Sequence, residues 1–266
     1  MPEITTYRPG TPSWVDFASP DLDASIEFYG GLLGWDVPET ENSEQTGGYR
    51  QAMKDGKPAG GIMPQMQEGQ PSAWTTYISV DDAEATAAAV KEAGGTVIAE
   101  PMDVMDLGKM AVFADPTGAV FGIWQPGTFQ GAGIVNEPGA IAWNELNTRD
   151  LAGAKEFYGA VFGWTFDDQE MEGGESYSMI VLGDGPVGGI LDLAARGVPE
   201  SIPAHWQVYF GVEDTDATID AAKAAGGGVM LEPVDIPFGR FAILTDPHGA
   251  SFAVIALSEM ARDNNA

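Results

Sequence analysis

The chain has 266 residues, 44% of them apolar, with 40 acidic against 12 basic side chains and a formal charge of −28. That length and apolar content suit two modest globular cores, and the dispersed acidic surface repels phosphate backbones and anionic headgroups, which excludes nucleic acid and membrane as partners. There is no cysteine, hence no disulfide, thiolate metal site or cysteine nucleophile. With no apolar run of about 18 residues and no charged-then-apolar leader, a cytoplasmic location is expected.

In chain order, residues 14–18 alternate like a strand, with Trp14 and Asp16 on one face and Val15 and Phe17 on the other. Asp21 is placed to cap a helix whose Leu22, Ile26, Tyr29 and Leu33 share a stripe, with Gly34 as its stop. Asp55-Gly56 between residues 49–54 and 57–63 signals a hairpin. A strand at 75–80 leads to Asp82 and an alanine-rich helix over 83–93 that ends at Gly94-Gly95. Strands near 96–99, 109–114 and 119–124 follow, the last two joined by the turn Asp115-Pro116-Thr117-Gly118.

The second half repeats the first. Trp14, Asp21-Leu22, Glu27-Phe28-Tyr29 and Gly34-Trp35 return as Trp143, Asp150-Leu151, Glu156-Phe157-Tyr158 and Gly163-Trp164 at a constant offset of 129. Trp74 and Tyr77 pair with Trp206 and Tyr209, and the Asp115 turn with Asp246-Pro247-His248-Gly249. A period this long is a domain rather than a solenoid repeat. The expected class is α+β, with two tandem domains, each of two βαβββ units whose curved mixed sheets surround a cleft. The boundaries read as 1–126 for the first domain, 127–139 for a Gly- and Pro-rich linker, 140–260 for the second domain and 261–266 for a polar tail. Fusion of the pair suits a monomer, with a homodimer as the other possibility.

The stretches Asp-Leu-x-x-(Ser/Ala)-x-Glu-Phe-Tyr followed by Gly-Trp, the Val-x-Asp before the second helix and the Asp-Pro-x-Gly turn resemble the vicinal oxygen chelate superfamily. This superfamily includes glyoxalase I, bleomycin-resistance proteins and extradiol dioxygenases. The chain looks most like its tandem, two-domain actinobacterial members. The resemblance implies three metal-ligand positions per domain: seven residues before each helix-capping Asp, and four after the turn glycine. In this chain those positions hold Trp14, Thr75 and Gly122 in the first repeat, and Trp143, Gln207 and Ala253 in the second. Indole, glycine and alanine cannot ligate a divalent ion, and only Gln207 offers even a weak donor. No metal and no cofactor are therefore expected. The two histidines do not restore a chelate, since His205 enters a strand alone and His248 lies in a turn.

What stands in the clefts instead is aromatic and acidic. Trp14 and Trp143 offer planar surfaces for a ligand, and Thr75, Tyr77, Gln207 and Tyr209 lie on the facing strands as further ligand-binding candidates. Asp16 and Glu145 share the Trp faces and are the catalytic candidates if burial raises their carboxyls. Three readings of this group stay open: packing that fills the vacated metal site, binding of a small planar metabolite or antibiotic without metal, and metal-independent acid–base chemistry of hydroxylase, lyase or isomerase type. A metal-dependent glyoxalase or dioxygenase is the least consistent with the residues.

Overall fold

The computed structural model describes residues 4–39, 46–67, 69–170, 176–259 and 261. Its first half contains β1 (Pro12–Ser19), α1 (Leu22–Leu33), β2 (Arg50–Lys54), β3 (Lys57–Pro64), β4 (Ala73–Ser79), α2 (Ala83–Glu92), β5 (Thr96–Val104), β6 (Gly108–Ala114) and β7 (Val120–Pro126). The second half contains β8 (Ile141–Thr148), α3 (Leu151–Phe162), β9 (Thr165–Glu170), β10 (Ser176–Leu182), β11 (Gly185–Asp192), β12 (His205–Gly211), α4 (Thr215–Ala224), β13 (Gly228–Ile236), β14 (Gly239–Thr245) and β15 (Ser251–Leu257). The strands form one mixed sheet per half, ordered β2-β3-β1-β4-β7-β6-β5 and β13-β14-β15-β12-β8-β11-β10-β9. This is an α+β fold of two tandem domains.

Local chemistry sets the element ends. Asp21, Asp82, Asp150 and Asp214 each accept a backbone N–H three residues on, capping α1, α2, α3 and α4. Gly34 and Gly163 close α1 and α3 at φ 68° and 69°, where a side chain would be strained. Asp55 and Gly56 both take positive φ, the two-residue turn that a hairpin favours. β5 runs on past the expected end at 99 to Val104 and carries Pro101; as an edge strand it tolerates the missing N–H. The first of the four βαβββ units differs after its helix. Among the described residues, an isolated bridge between Asp36 and Met53 follows α1 where the other units have a strand. Pro38 two residues on has no N–H for a ladder, whereas β9 at the matching place has no proline.

The two largest core clusters are each shared between the halves. Val15, Phe17, Phe28, Tyr29 and Leu33 pack in one cluster with Phe210, Ile219, Phe252 and Val254 of the second half. Ile78, Val90, Phe113 and Phe121 pack in another with Leu146, Phe157, Tyr158 and Ile190. Helix α1 lies against α4, and α2 against α3. The first unit of the chain thus shares its interior with the fourth, and the second with the third.

Two matched polar relays cross these cores. Tyr29 donates to Asp246 Oδ2 at 3.2 Å while accepting from Trp74 Nε1 at 3.1 Å. Tyr158 donates to Asp115 Oδ2 at 3.2 Å while accepting from Trp206 Nε1 at 2.9 Å. The other oxygen of each aspartate is committed to its own turn, where Asp115 Oδ1 accepts from Thr117 and Ala119 and Asp246 Oδ1 from His248 and Ala250. The tyrosine, tryptophan and aspartate side chains of both relays are buried. Replacing Tyr29 with Phe strands both the Trp74 donor and one Asp246 oxygen. The variant is expected to lose about 2 kcal/mol of stability, read from urea midpoints at constant slope.

Candidate functional site

The strand pairs β1–β4 and β8–β12 lie at the middle of their sheets, and alternation turns one row of their side chains away from the helices. In the first sheet that row carries Trp14 and Asp16 on β1, facing Tyr77 and Thr75 on β4 in register. Tyr77 in turn faces Gly122 on β7, and Asp16 faces Gly61 on β3. Both glycines are needed for close approach: a Cβ at Gly122 would strike the Tyr77 ring, and one at Gly61 the Tyr49 hydroxyl. Tyr49 accepts from Trp14 Nε1 at 2.8 Å. Tyr77 hydrogen-bonds the Asp16 carboxyl. The result is an indole, two phenols and one carboxyl gathered at the sheet centre.

The second sheet builds the same group. Trp143 and Glu145 on β8 face Tyr209 and Gln207 on β12, and Tyr209 faces Ala253. Trp143 Nε1 donates to Tyr177 at 2.9 Å, and Tyr209 donates to Glu145 Oε1 at 3.0 Å. Tyr177 also bonds the Glu145 carboxyl and lies over Gly189 as Tyr49 lies over Gly61. Gln207 is 2% exposed, accepting from Ser251 and donating to the Val208 carbonyl.

The two carboxyls differ in their surroundings. Asp16 is 4% exposed, and its Oδ1 has no hydrogen-bond partner. Burial pushes its carboxyl up to about 7, against a smaller opposing effect of the Tyr77 hydrogen bond. Glu145 is also raised by burial, but Tyr177, Tyr209 and the nearby Arg196 charge pull it back. Burial beside a carboxyl raises Tyr49, Tyr77, Tyr177 and Tyr209, so all four phenols remain protonated donors.

The apolar walls come from neighbouring strands and the segment after β7. Phe129 packs edge-on against Trp14 at 4.9 Å, and its carbonyl accepts from Trp124 Nε1 at 2.9 Å. Trp14 is thereby 5% exposed, while Trp143 is half-buried. In the second sheet Tyr209, Phe241, Ala253 and Ile255 form the matching cluster, with Trp143 and Ile243 against it.

The structure thus gathers Trp14, Asp16, Thr75 and Tyr77 in one group, and Trp143, Glu145, Gln207 and Tyr209 in the other. Tyr49 and Tyr177 belong to them too and were missed by the motif reading. Their spacing of 128 residues, and the glycine doublets Gly60-Gly61 and Gly188-Gly189 beside them, were the available signals. His205 is half-buried with Nδ1 2.9 Å from the Pro203 carbonyl, and His248 is exposed.

The donors do not fit a divalent ion. Each group offers one carboxyl and protonated phenols, Tyr77 covers the Gly122 position, and among the described residues no three His, Cys, Asp or Glu side chains gather as a ligand set. Nor is any helix among them long and apolar enough to cross a membrane.

The model of the Glyoxalase/Bleomycin resistance protein/Dioxygenase superfamily matches residues 11–123 and 140–254. CFP32 of Mycobacterium tuberculosis, provisionally named a glyoxylase, is 43% identical over 259 residues, covering 96% of this chain and 98% of its own. The anthracycline biosynthesis protein DnrV of Streptomyces peucetius is 41% identical over 270 residues, covering 96% of each chain. Among solved structures, a Mn(II)-bound glyoxalase from Novosphingobium aromaticivorans superposes with a TM-score of 0.63 at 16% identity, over 97% of this chain and 90% of that one. The 2,2',3-trihydroxybiphenyl 1,2-dioxygenase of Sphingomonas wittichii gives 0.64 at 15% identity, over 94% and 91%. These two likenesses speak to fold alone.

The Asp16 environment has a measurable consequence. The folded chain holds a proton on Asp16 up to about pH 7, which the unfolded chain releases near its ordinary value of 3.8. Asp16 therefore makes stability fall as pH rises between those values and level off above them. Asp16→Asn removes this effect, so its stability relative to the unsubstituted protein is expected to grow by about 4 kcal/mol from pH 4 to pH 8. Urea denaturation at both pH values measures it, and parallel curves would refute the buried-acid assignment.

Proposed function

The chain belongs to the glyoxalase/bleomycin resistance/dioxygenase superfamily, and from that premise we propose that it is a metal-free member that binds a small planar organic molecule in its aromatic clefts. The observation that carries the reading is the carboxyl–phenol–indole group, repeated in both halves, with one oxygen of Asp16 left without a partner inside an apolar surround. Apolar walls with a few convergent polar groups are the usual make-up of a small-molecule site. The relative from anthracycline biosynthesis favours a ligand of fused-ring, oxygen-substituted type. Such a molecule would meet the aromatic walls with its rings and Asp16 or the phenols with its oxygens. We place the protein in the cytoplasm, as a monomer or homodimer.

A second reading is favoured by the position of the Asp16 carboxyl near neutrality. A metal-independent enzyme of hydroxylase, lyase or isomerase type needs a group that both takes and returns a proton at working pH, and Asp16, or Glu145 in the second half, would be that acid–base.

The two readings separate in one set of experiments. Binding predicts saturable quenching of tryptophan fluorescence by planar hydroxylated aromatics, with the compound recovered unchanged. The enzymatic reading predicts product formation that Asp16→Asn or Glu145→Gln abolishes while quenching persists. Stoichiometric manganese, nickel, zinc or iron in the purified protein would overturn the metal-free assignment.

A further inference from the structure

We propose that the two clefts are not equivalent, and that the first alone takes the ligand, through a hydrogen bond between Asp16 Oδ1 and a hydroxyl or carbonyl oxygen of a planar hydroxyquinone. This assignment rests on the small-molecule reading above and deepens it.

The two carboxyls differ by one methylene. The repeats place an acid at the same register point, opposite Thr75 and Gly61 in one sheet and opposite Gln207 and Gly189 in the other. In the second sheet the longer Glu145 reaches two phenols, Tyr209 at 3.0 Å and Tyr177. In the first sheet the shorter Asp16 is reached by Tyr77, its charge raises Tyr49, and its Oδ1 has no hydrogen-bond partner. A buried carboxyl oxygen without a partner costs free energy that a matched one does not. A ligand oxygen arriving at Oδ1 recovers that cost in the first cleft, while in the second it would have to displace bonds already made.

Arg196, in the segment after β11, adds to the match in the second half, where its charge acts favourably on Glu145. The second carboxyl is thus matched by hydrogen bonds and by a cation. Its role is to hold Tyr177 and Tyr209 in place.

The ligand class follows from the aromatic wall beside Trp14, which shares a strand face with Asp16. Trp14, Trp124 and Phe129 form an apolar wall with ring centres 4.9 and 5.9 Å from Phe129, which suits a flat polycycle. A carboxyl can accept from a hydroxyl or, protonated, donate to a carbonyl. A hydroxyquinone presents both oxygens on one edge.

The test is calorimetric titration of the full chain with 1,4-dihydroxyanthraquinone-2-sulfonate. The expected result is one molecule bound per chain, with affinity reduced at least tenfold by Asp16→Ala and by Asp16→Glu, each shown to be folded by its thermal transition. Asp16→Glu keeps the carboxyl and reproduces the second cleft's acid, so it carries the test even if the alanine variant unfolds. Two equal sites per chain, or Asp16→Glu binding within twofold of the unsubstituted protein, would overturn the assignment while leaving small-molecule binding intact. No binding by the unsubstituted protein at millimolar probe would overturn both.

Discussion

Every other feature depends on the burial of helices between sheets that belong to different halves of the chain. An amphipathic helix on one face of a sheet needs a cover, and here each helix finds it in the other repeat: α1 against α4 and α2 against α3. The helix-facing side of each sheet is consumed in this contact. The opposite row turns away from the helices, and it carries Trp14, Asp16, Trp143 and Glu145. The Tyr29–Asp246 and Tyr158–Asp115 bonds fix this pairing, because each ties a helix of one half to a turn of the other inside an apolar core. An apolar contact alone tolerates sliding; a buried, directional bond does not.

Much of the fold was legible because local signals and tertiary needs agree. The four capping aspartates, the Asp55-Gly56 turn and the glycine stops act within a few residues, and each appears where the pattern puts it. Shared cores were not legible. Phe28-Tyr29 and Phe157-Tyr158 read as core residues, but helical spacing cannot say whose core they enter. The isolated bridge after α1 lies beside Pro38, a single residue whose effect depends on whether a neighbouring strand wants its N–H.

The site was legible in part for the same reason. Residues on one strand face, such as Trp14 with Asp16, follow from alternation alone. Tyr49 and Tyr177 reach the group across a neighbouring strand, over a glycine that is distant in sequence, and no periodicity within one strand reports that contact. Nor does the motif pattern distinguish Asp16 from Glu145. The difference between them is one of reach, and reach is settled by where the phenols sit.

The indoles of Trp35 and Trp164 show what holds the two halves to a common frame. Trp35 donates to the carbonyl of Gly139, in the connector, and Trp164 donates to the carbonyl of Gly10, in the arm that precedes β1. The connector and the N-terminal arm are thus the same device used twice, each a backbone strap across an indole. One strap serves the half that precedes it; the other crosses the whole molecule to serve the half that follows. Trimming the first ten residues would therefore be felt around residue 164 as well as at Ser79 and Ala132, and lengthening the connector would loosen the first half's wall. The N-terminal arm and the connector are one structural device, so an insertion at either place edits a packed interior.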